Sequence, residues 1–163
     1  MFVDGLGSYF SIDAYFSDLP CTDEWLEIQH AEECTECSIC ANSCPTGAIG
    51  PERFMINNER CLTYFNESPR KIPDWVPLSA HHCLYGCLKC QLSCPMNQDY
   101  ELMQPGVVKF TEEETDMLLT KKQKEFTPGL KEKCRVLGLD QWIAAIPRNL
   151  KILLEQNSAS ASH

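Results

Sequence analysis

Nine of the eleven cysteines lie within residues 34–94, and their regular spacing is typical of iron–sulfur proteins. The first run, at residues 34–45, has the pattern C-x2-C-x2-C-x3-C-P. The second run, at residues 83–95, starts with one extra cysteine and then repeats C-x2-C-x3-C-P. In bacterial proteins with this pattern, the fourth cysteine of each run ligates the other of two clusters. The sequence therefore predicts two [4Fe-4S] clusters, whose chemistry is the transfer of single electrons.

The same cross-ligation rule predicts which thiolates bind each cluster. The expected ligands of the first cluster are Cys34, Cys37, Cys40 and Cys94. Those of the second cluster include Cys44, Cys87 and Cys90. Its remaining ligand is Cys61 or Cys83, because nine cysteines compete for eight positions. Cys83 is close to Cys87 in sequence, while Cys61 closes a longer loop at little extra entropic cost. Spacing alone does not decide between Cys61 and Cys83.

Two other uses of these cysteines were weighed against clusters. A structural zinc site takes four ligands and would not need the third and fourth cysteines of each run. A disulfide framework is typical of secreted chains, and the N-terminal residues lack the basic region and long apolar stretch of a signal peptide. So many unpaired cysteines indicate a reducing compartment, and we expect a cytoplasmic protein.

Length and charge limit the classes of partner. A chain of 163 residues is one modest domain, or a domain with an appendage. Its net charge of −9 repels phosphate backbones and favours basic partners, so we expect no direct nucleic-acid binding. It contains no run of about 18 apolar residues, so no membrane span is expected.

Four segments are expected to position the cysteines, and together they predict an α+β fold. This fold is a bacterial two-[4Fe-4S] ferredoxin-like domain with a C-terminal helical appendage. The segments are a strand and helix lead-in at residues 1–33, the ferredoxin-like domain at 34–100, the helical appendage at 101–157 and a flexible tail at 158–163.

Within the lead-in, the aromatic-rich residues 8–19 predict one or two short strands whose rings lie in the core. A helix is predicted over residues 23–31, with Thr22 as its N-cap, and Cys21 is expected to be a packing residue. Between the two cysteine runs, residues 54–56 predict another short strand.

In the appendage, a capping box at residues 111–114 predicts the start of a first helix. A second helix is predicted over residues 127–138, from a Thr-Pro start to a glycine stop, with Cys134 facing the core. Asp140 is predicted to cap a third helix, which Pro147 breaks or kinks.

No catalytic constellation is recognised apart from the cysteines. The sequence has no nucleotide-binding glycine loop, no nucleophile elbow and no H-E-x-x-H pair. His81 and His82 precede the second run, but with eight cysteines available they are not expected to ligate iron. We therefore expect an electron-transfer module of an oxidoreductase, without a complete catalytic site of its own.

Three segments resemble the two-cluster domain of the epoxyqueuosine reductases. They are residues 34–49, which end in Cys-Pro-Thr-Gly-Ala-Ile, residues 59–64, which read Glu-Arg-Cys-Leu-Thr-Tyr, and residues 84–97, which read Leu-Tyr-Gly-Cys-Leu-Lys-Cys-Gln-Leu-Ser-Cys-Pro-Met-Asn. The Pro-Arg-Asn-Leu sequence at 147–150 is a weaker similarity to an Arg-Asn pair in that family's later helices. Reductive dehalogenases and other corrinoid-reducing proteins share the two-cluster pattern.

The resemblance implies low-potential electron transfer through the clusters to the cobalt of cobalamin, which a preceding domain holds in that family. For this chain, cobalamin is expected only in a partner or a missing domain, and the chain is expected to be a short protein or a fragment. The implied electron donor is a ferredoxin, a flavodoxin or a reductase. The alternatives are a free-standing ferredoxin carrier and a structural or regulatory iron–sulfur module.

The resemblance also bears on individual residues. It implies that Cys61, rather than Cys83, is the fourth ligand of the second cluster, because Cys83 has no counterpart in the family. Met96 stands where the family usually has tryptophan. The residue expected to protonate substrate belongs to the preceding domain, so the family's substrate chemistry is not carried over to this chain.

Overall fold

The structure of the chain is a computed structural model that describes residues 3, 7–10, 13–20, 31–51, 55–97 and 108–160. The α-helices within these residues are α1 (Ile39–Ser43), α2 (Leu62–Asn66), α3 (Lys89–Leu92), α4 (Glu112–Thr120), α5 (Pro128–Val136) and α6 (Ile146–Ser160). Short 3-10 helices lie at Glu32–Cys34, Leu78–Ala80, Pro95–Asn97, Gln123–Glu125 and Leu139–Trp142. The described part of the chain is therefore mainly helical.

The predicted α+β fold is not confirmed. Pairing between extended segments in the described residues is limited to two isolated bridges, Val3 with Gly7 and Ile49 with Ile56. Ile56 belongs to the strand predicted at residues 54–56, of which Phe54 lies outside the described residues. A single bridge forms there because the chain turns at residues 58–60 towards α2, which leaves no length for a ladder.

The lead-in also differs from its prediction. The described residues of the 8–19 segment form no strand, and Tyr15 and Phe16 are exposed, so their predicted place in a core is wrong. Ser8 is held in another way: its amide donates to Asn97 Oδ1 at 2.7 Å, and its carbonyl accepts from Gln91 Nε2 at 2.6 Å. The polar side chains of Gln91 and Asn97 thus replace strand pairing here. The predicted helix at 23–31 falls almost entirely outside the described residues, as does Cys21.

The described part of residues 31–97, which we call the cysteine half, contains only short helices. Helix α1 contains Cys40 and helix α3 contains Cys90. Each is only about one turn long, and the two helices pack against each other. A small apolar core lies beneath α2 and the proline-rich loop after it, and it consists of Leu62, Phe65, Val76 and Ala80. The fold of this half is therefore built mostly from turns around the cysteines.

We call residues 108–160 the helical half. Its helices α4 and α5 start where the sequence predicts. Thr111 and Glu114 form the predicted capping box on α4. Thr127 caps α5, and Gly138 follows its end with a φ of 69°, a left-handed conformation that glycine adopts without strain. Cys134 is fully buried, as expected of a core thiol. The core of this half consists of Leu118, Phe126, Leu130, Cys134, Leu139 and Ile146.

Two details of the helical half were predicted wrongly. Asp140 does not cap a long helix, because it lies inside the short 3-10 helix Leu139–Trp142, whose N-cap is Gly138. Pro147 does not break a helix either, because it occupies the first turn of α6. Amides in the first turn of a helix have no intrahelical acceptor, so a proline there costs no hydrogen bond.

The two halves contact each other beside the second cysteine run. Leu84 packs against the core of the helical half. The hydroxyl of Tyr85 donates to the carbonyl of Leu137, just after α5, at 3.0 Å. The segment that leads into Cys87 is therefore held by the helices that follow it in sequence. None of the helices in the described part of the chain is both long and apolar enough to cross a membrane.

Candidate metal centre

A first set of thiols surrounds Cys34. Burial raises the pKa of the Cys34 thiol, and negative charge on three neighbouring thiols raises it further: Cys94, Cys37 and Cys40. Cys34 ends a 3-10 turn, Cys40 lies in α1, and Cys94 follows α3. This set therefore combines three cysteines of the first run with the last cysteine of the second run. These are the residues that the cross-ligation rule assigns to the first cluster.

A second set lies around one cavity, whose lining includes Cys44, Cys61, Cys87 and Cys90. Burial raises the pKa of the Cys87 and Cys90 thiols, and negative charge on Cys61 and Cys44 raises both further. Cys83, although described, is not among the residues lining this cavity. Within the described residues, no three His, Cys, Asp or Glu side chains are arranged to hold a single metal ion. Apart from Cys83, these cysteines therefore fall into two sets of four, one around Cys34 and one around this cavity.

Backbone amides converge on the Cys44 sulfur. Burial alone would raise the pKa of Cys44, but hydrogen bonds from the N–H groups of Thr46, Ala48 and Ile49 outweigh it and hold the pKa below its usual value. The amide nitrogen of Ala48 lies 3.2 Å from Sγ. Gly47, with a φ of 61°, turns the chain back so that these amides can point at the sulfur. The site favours a thiolate, which is the form that binds metal.

The turn between Cys87 and Cys90 has a strained backbone. Leu88, which precedes α3, has a φ of 57°, and among the described residues it is the only one besides glycine with a positive φ. Gly86 is also left-handed, with a φ of 64°. A left-handed leucine costs about 1–2 kcal/mol, so this conformation persists only where surrounding contacts impose it. It allows Cys87 and Cys90 to line the same cavity.

Cys83 is engaged differently from its neighbours. Its Sγ donates to the carbonyl of Gly86 at 3.2 Å and accepts from Asn66 Nδ2 at 3.6 Å. Burial raises the pKa of Cys83 to about 11, and negative charge on Cys87 contributes to the rise. This raised pKa and the backbone acceptor both favour a protonated thiol at Cys83.

The two histidines before the second run have different environments: the ring of His82 contacts two backbone carbonyls, and His81 is buried. The ring nitrogens of His82 lie 2.8 Å from the carbonyl oxygen of Ala80 and 3.0 Å from that of Cys87. His81 is buried, and burial lowers its pKa, which the positive charges of Arg148 and His82 lower further. His82 thus connects the start of the second run to the Cys87 backbone.

Sequence reasoning missed the side chains that hold the second set in place. The Nε of Arg60 donates to the carbonyl of Thr46 at 3.2 Å, and its guanidinium lies 4.6 Å from the centre of the Trp75 ring. This arginine joins the turn after Cys44 to the segment that carries Cys61. Its only sequence signal was the Arg-Cys pair in the family resemblance.

Two consecutive residues of α6 also reach the cysteine half. Arg148 Nη2 donates to the carbonyl of Phe65 at 2.6 Å. Asn149 Nδ2 donates to the carbonyls of Asn66 at 2.9 Å and Leu84 at 2.7 Å. These contacts span more than sixty residues of sequence, so no local pattern predicts them. Their one signal was the weak Arg-Asn similarity at residues 147–150.

Comparison with known proteins gives these cysteines a family context. Residues 33–97 match the family described as a 4Fe-4S double cluster binding domain. The cysteine half is a 4Fe-4S double cluster binding domain. It resembles that of the epoxyqueuosine reductases. The epoxyqueuosine reductase of Shewanella oneidensis is 32% identical over 162 residues, which are 95% of this chain and 39% of that protein.

Solved structures agree with this match. A crystal structure of a selenomethionine-labelled epoxyqueuosine reductase aligns with a TM-score of 0.55 and 28% identity, over 74% of this chain and 32% of that one. The epoxyqueuosine reductase of Streptococcus thermophilus, 20% identical, shares the fold with a TM-score of 0.54 over 81% of this chain and 34% of its own. The chain thus spans about a third of the length of these relatives.

Proposed function

We propose that the two sets of four cysteines bind two [4Fe-4S] clusters and that the chain carries low-potential electrons through them. The proposed ligands are Cys34, Cys37, Cys40 and Cys94 for the first cluster, and Cys44, Cys61, Cys87 and Cys90 for the second. The observation that carries this proposal is that each set draws thiols from both runs, as cross-ligation requires. When bound, such clusters accept and release one electron at a time.

The protein supplies ligands, polar donors and charge around these groups. N–H donors at Cys44 stabilise negative charge on its sulfur, which favours the reduced state of a site that gains an electron. The net charge of −9 acts in the opposite direction, because it disfavours adding an electron to an anionic site. We expect the overall acidity to keep the potentials low within the wide range of cysteine-ligated clusters, roughly −700 to +450 mV.

The proposed acceptor is cobalamin bound by a partner or by another domain of an epoxyqueuosine reductase-like or other corrinoid enzyme. Its support is the 32% identity to an epoxyqueuosine reductase. A ferredoxin, a flavodoxin or a reductase would supply the electrons in the cytoplasm. Within this scheme the domain proposed at residues 34–100 carries the clusters, and residues 101–157 form an appendage that braces it, as the contacts from α6 suggest.

The first experiment tests the ligands. Protein purified anaerobically should contain about eight irons and eight sulfides per chain, as two four-iron clusters require. Cys61→Ser should lose or convert one cluster. Cys83→Ser serves as the matched control and should keep both, because its thiol is bonded to the Gly86 carbonyl. Four irons or fewer in the wild-type protein, stoichiometric zinc, or the reverse result for the two serine variants would refute the assignment.

The second experiment tests the electron transfer. After reduction with dithionite, the protein should give EPR signals from two magnetically coupled clusters, and it should reduce cobalamin bound to the matching domain of an epoxyqueuosine reductase. This chain alone should bind cobalamin weakly or not at all. If the clusters stay oxidised under dithionite, or titrate well above 0 mV, the role as a corrinoid reductant is wrong and a structural role is favoured.

A further inference from the structure

A buried polar network joins α6 to the loop that presents Cys87. Asn149 donates from Nδ2 to the carbonyls of Asn66 at 2.9 Å and Leu84 at 2.7 Å. Asn66, in turn, donates from its own Nδ2 to the carbonyl of Gly86 at 2.9 Å and approaches Cys83 Sγ at 3.6 Å. The exposed fractions of the Asn66 and Asn149 residues are 0% and 1%, so water does not compete for these bonds.

Each end of this network is fixed in orientation. Arg148 donates to Asn149 Oδ1 from Nε at 3.0 Å and from Nη2 at 2.8 Å, so the amide of Asn149 can present only its two N–H donors to the cysteine half. At the other end, the carbonyl of Gly86 accepts from both Asn66 Nδ2 and the Cys83 thiol. The position of the Cys83 sulfur therefore depends on Asn66, and that of Asn66 depends on α6.

The network leaves one buried polar atom unsatisfied. Among the described residues, Asn66 Oδ1 has no hydrogen-bond partner. An unpaired buried acceptor lowers stability, and an apolar side chain at this position would avoid the cost. The Nδ2 contacts to Gly86 and Cys83 are what an apolar side chain could not provide. This indicates that the residue serves to position the loop.

We propose that Asn149 is a positioning residue for the second cluster, acting through Asn66 to present Cys87 to the cavity and to hold Cys83 away from iron. This inference rests on the proposed ligand sets. The loop needs such support because it contains the left-handed residue Leu88, whose conformation must be imposed from outside. It also carries two cysteines four positions apart, and only one of them lines the cavity.

Release of the network would allow a simple ligand exchange. The Cys83 thiol would give up its bond to the Gly86 carbonyl and bind an iron as a thiolate. The displaced Cys87 thiolate would take up the proton that Cys83 loses, so no electron and no outside reagent is consumed. Cys83 would then hold the group in place of Cys87, and the sulfur ligand would have different hydrogen-bond partners in the protein.

The test uses the full chain and replaces Asn149 with aspartate, which has the same shape but no N–H donor when ionised. Its carboxylate would face the carbonyls of Asn66 and Leu84 and repel both. Asn157→Asp is the matched control, because Asn157 is an exposed residue of the same helix. The readouts are the EPR spectrum of each cluster after reduction, the midpoint potentials, and the iron content. The first cluster serves as an internal standard for correct folding.

We expect Asn149→Asp to change the spectrum and the potential of the second cluster while those of the first cluster stay as in the wild type. The decisive variant is Asn149→Asp combined with Cys83→Ser. Because the competing thiol is then absent, this double variant should recover the wild-type spectrum of the second cluster. Asn157→Asp should match the wild type throughout.

The proposal is overturned if Asn149→Asp leaves the second cluster unchanged, or if removing Cys83 does not restore an altered spectrum. A wild-type protein without a second cluster would instead overturn the proposed function, which keeps the two failures distinct. If Asn149→Asp also loses the first cluster, the same pair of comparisons is made with Arg148→Lys. Lysine keeps the charge but cannot hold Asn149 Oδ1 and the Phe65 carbonyl together.

Discussion

The two halves of the chain are ordered by different means. In the helical half, α4 to α6 have nine to fifteen residues each, and the apolar core contains six side chains. In the cysteine half, α1 to α3 have four or five residues each, and the apolar core contains four side chains. The helical half buries enough apolar side chains to form a core. The cysteine half buries few, and its cysteines outnumber its core residues. We therefore expect metal ligation to supply the missing order in the cysteine half.

Removal of iron should produce the largest difference in stability between the two halves. After anaerobic chelation, we expect residues 31–97 to lose most of their protection against hydrogen exchange, because ligation free energy is folding free energy in such domains. Residues 108–160 should keep theirs, apart from the surface that contacts the Leu84 and Tyr85 segment. Exchange measured by mass spectrometry on holo and apo protein reports both halves at once. Equal protection of residues 31–97 in the two forms would contradict this account.

Shortening a core side chain of the helical half should destabilise that half and leave the cysteine half unchanged. Leu130→Ala removes a side chain with an exposed fraction of 0% from α5 and should lower the free energy of unfolding of the helical half by about 2–5 kcal/mol. Thermal unfolding followed by far-UV circular dichroism measures the loss. Val136→Ala is the control on the same helix, because Val136 is exposed, and it should change stability by about 0.5 kcal/mol or less. The visible absorption of the clusters should stay unchanged below the transition.

Loss of the helix cap should have a smaller effect. Thr111→Ala removes the acceptor for the amide of Glu114, which is 3.2 Å away, and should destabilise the helical half by about 1 kcal/mol. In the control Thr120→Ala, the lost hydroxyl bonds only to the carbonyl of Asp116 inside the same helix. Chemical denaturation of both variants gives the difference. A cap variant as stable as the control would show that packing alone holds α4.

The smallest effect concerns the charge of Glu114. A hydrogen bond from Lys133, at 2.7 Å from Oε1, holds the pKa of this carboxyl below its usual value of about 4.5, and the Thr111 amide lowers it further. Because the folded-state pKa is depressed, the ionised carboxylate stabilises the fold above the unfolded pKa, and this contribution is lost as pH falls through the folded pKa.

Glu114→Gln should therefore lower the hydrogen-exchange protection of α4 at pH 7, and the difference from wild type should shrink in acid below about pH 4.5. Glu112→Gln makes the same change of charge in the same turn, without a bond to Lys133, and is the control. Any acid loss of the clusters is common to all three proteins, so it cancels from the comparison. A difference that grows in acid would reverse the sign of the linkage.

Local chemistry explains what could be predicted about the fold. The capping box at Thr111, the Thr-Pro start of α5 and the stop at Gly138 each depend on residues within four positions of one another, and all three were predicted correctly. Predictions that depended on a distant partner were less secure. The prediction that Pro147 breaks a helix is wrong because its sequence neighbours do not show that a new helix starts at Ile146. The rings of Tyr15 and Phe16 were expected in a core and are exposed.

The sequence by itself determined which cysteines are candidates for one cluster, because the spacing of cysteines along the chain limits which thiols can share a cluster. It predicted a double cluster domain, which the family match confirms, and it named two sets of candidate ligands. Only the tertiary structure decided how Cys83 is engaged. Its sulfur is contacted by Asn66, which is 17 residues away, and Asn66 is contacted by Asn149, which is 83 residues from it. A hydrogen bond forms only where the fold brings donor and acceptor together. The spacing of residues along the chain does not show which distant residues the fold brings together.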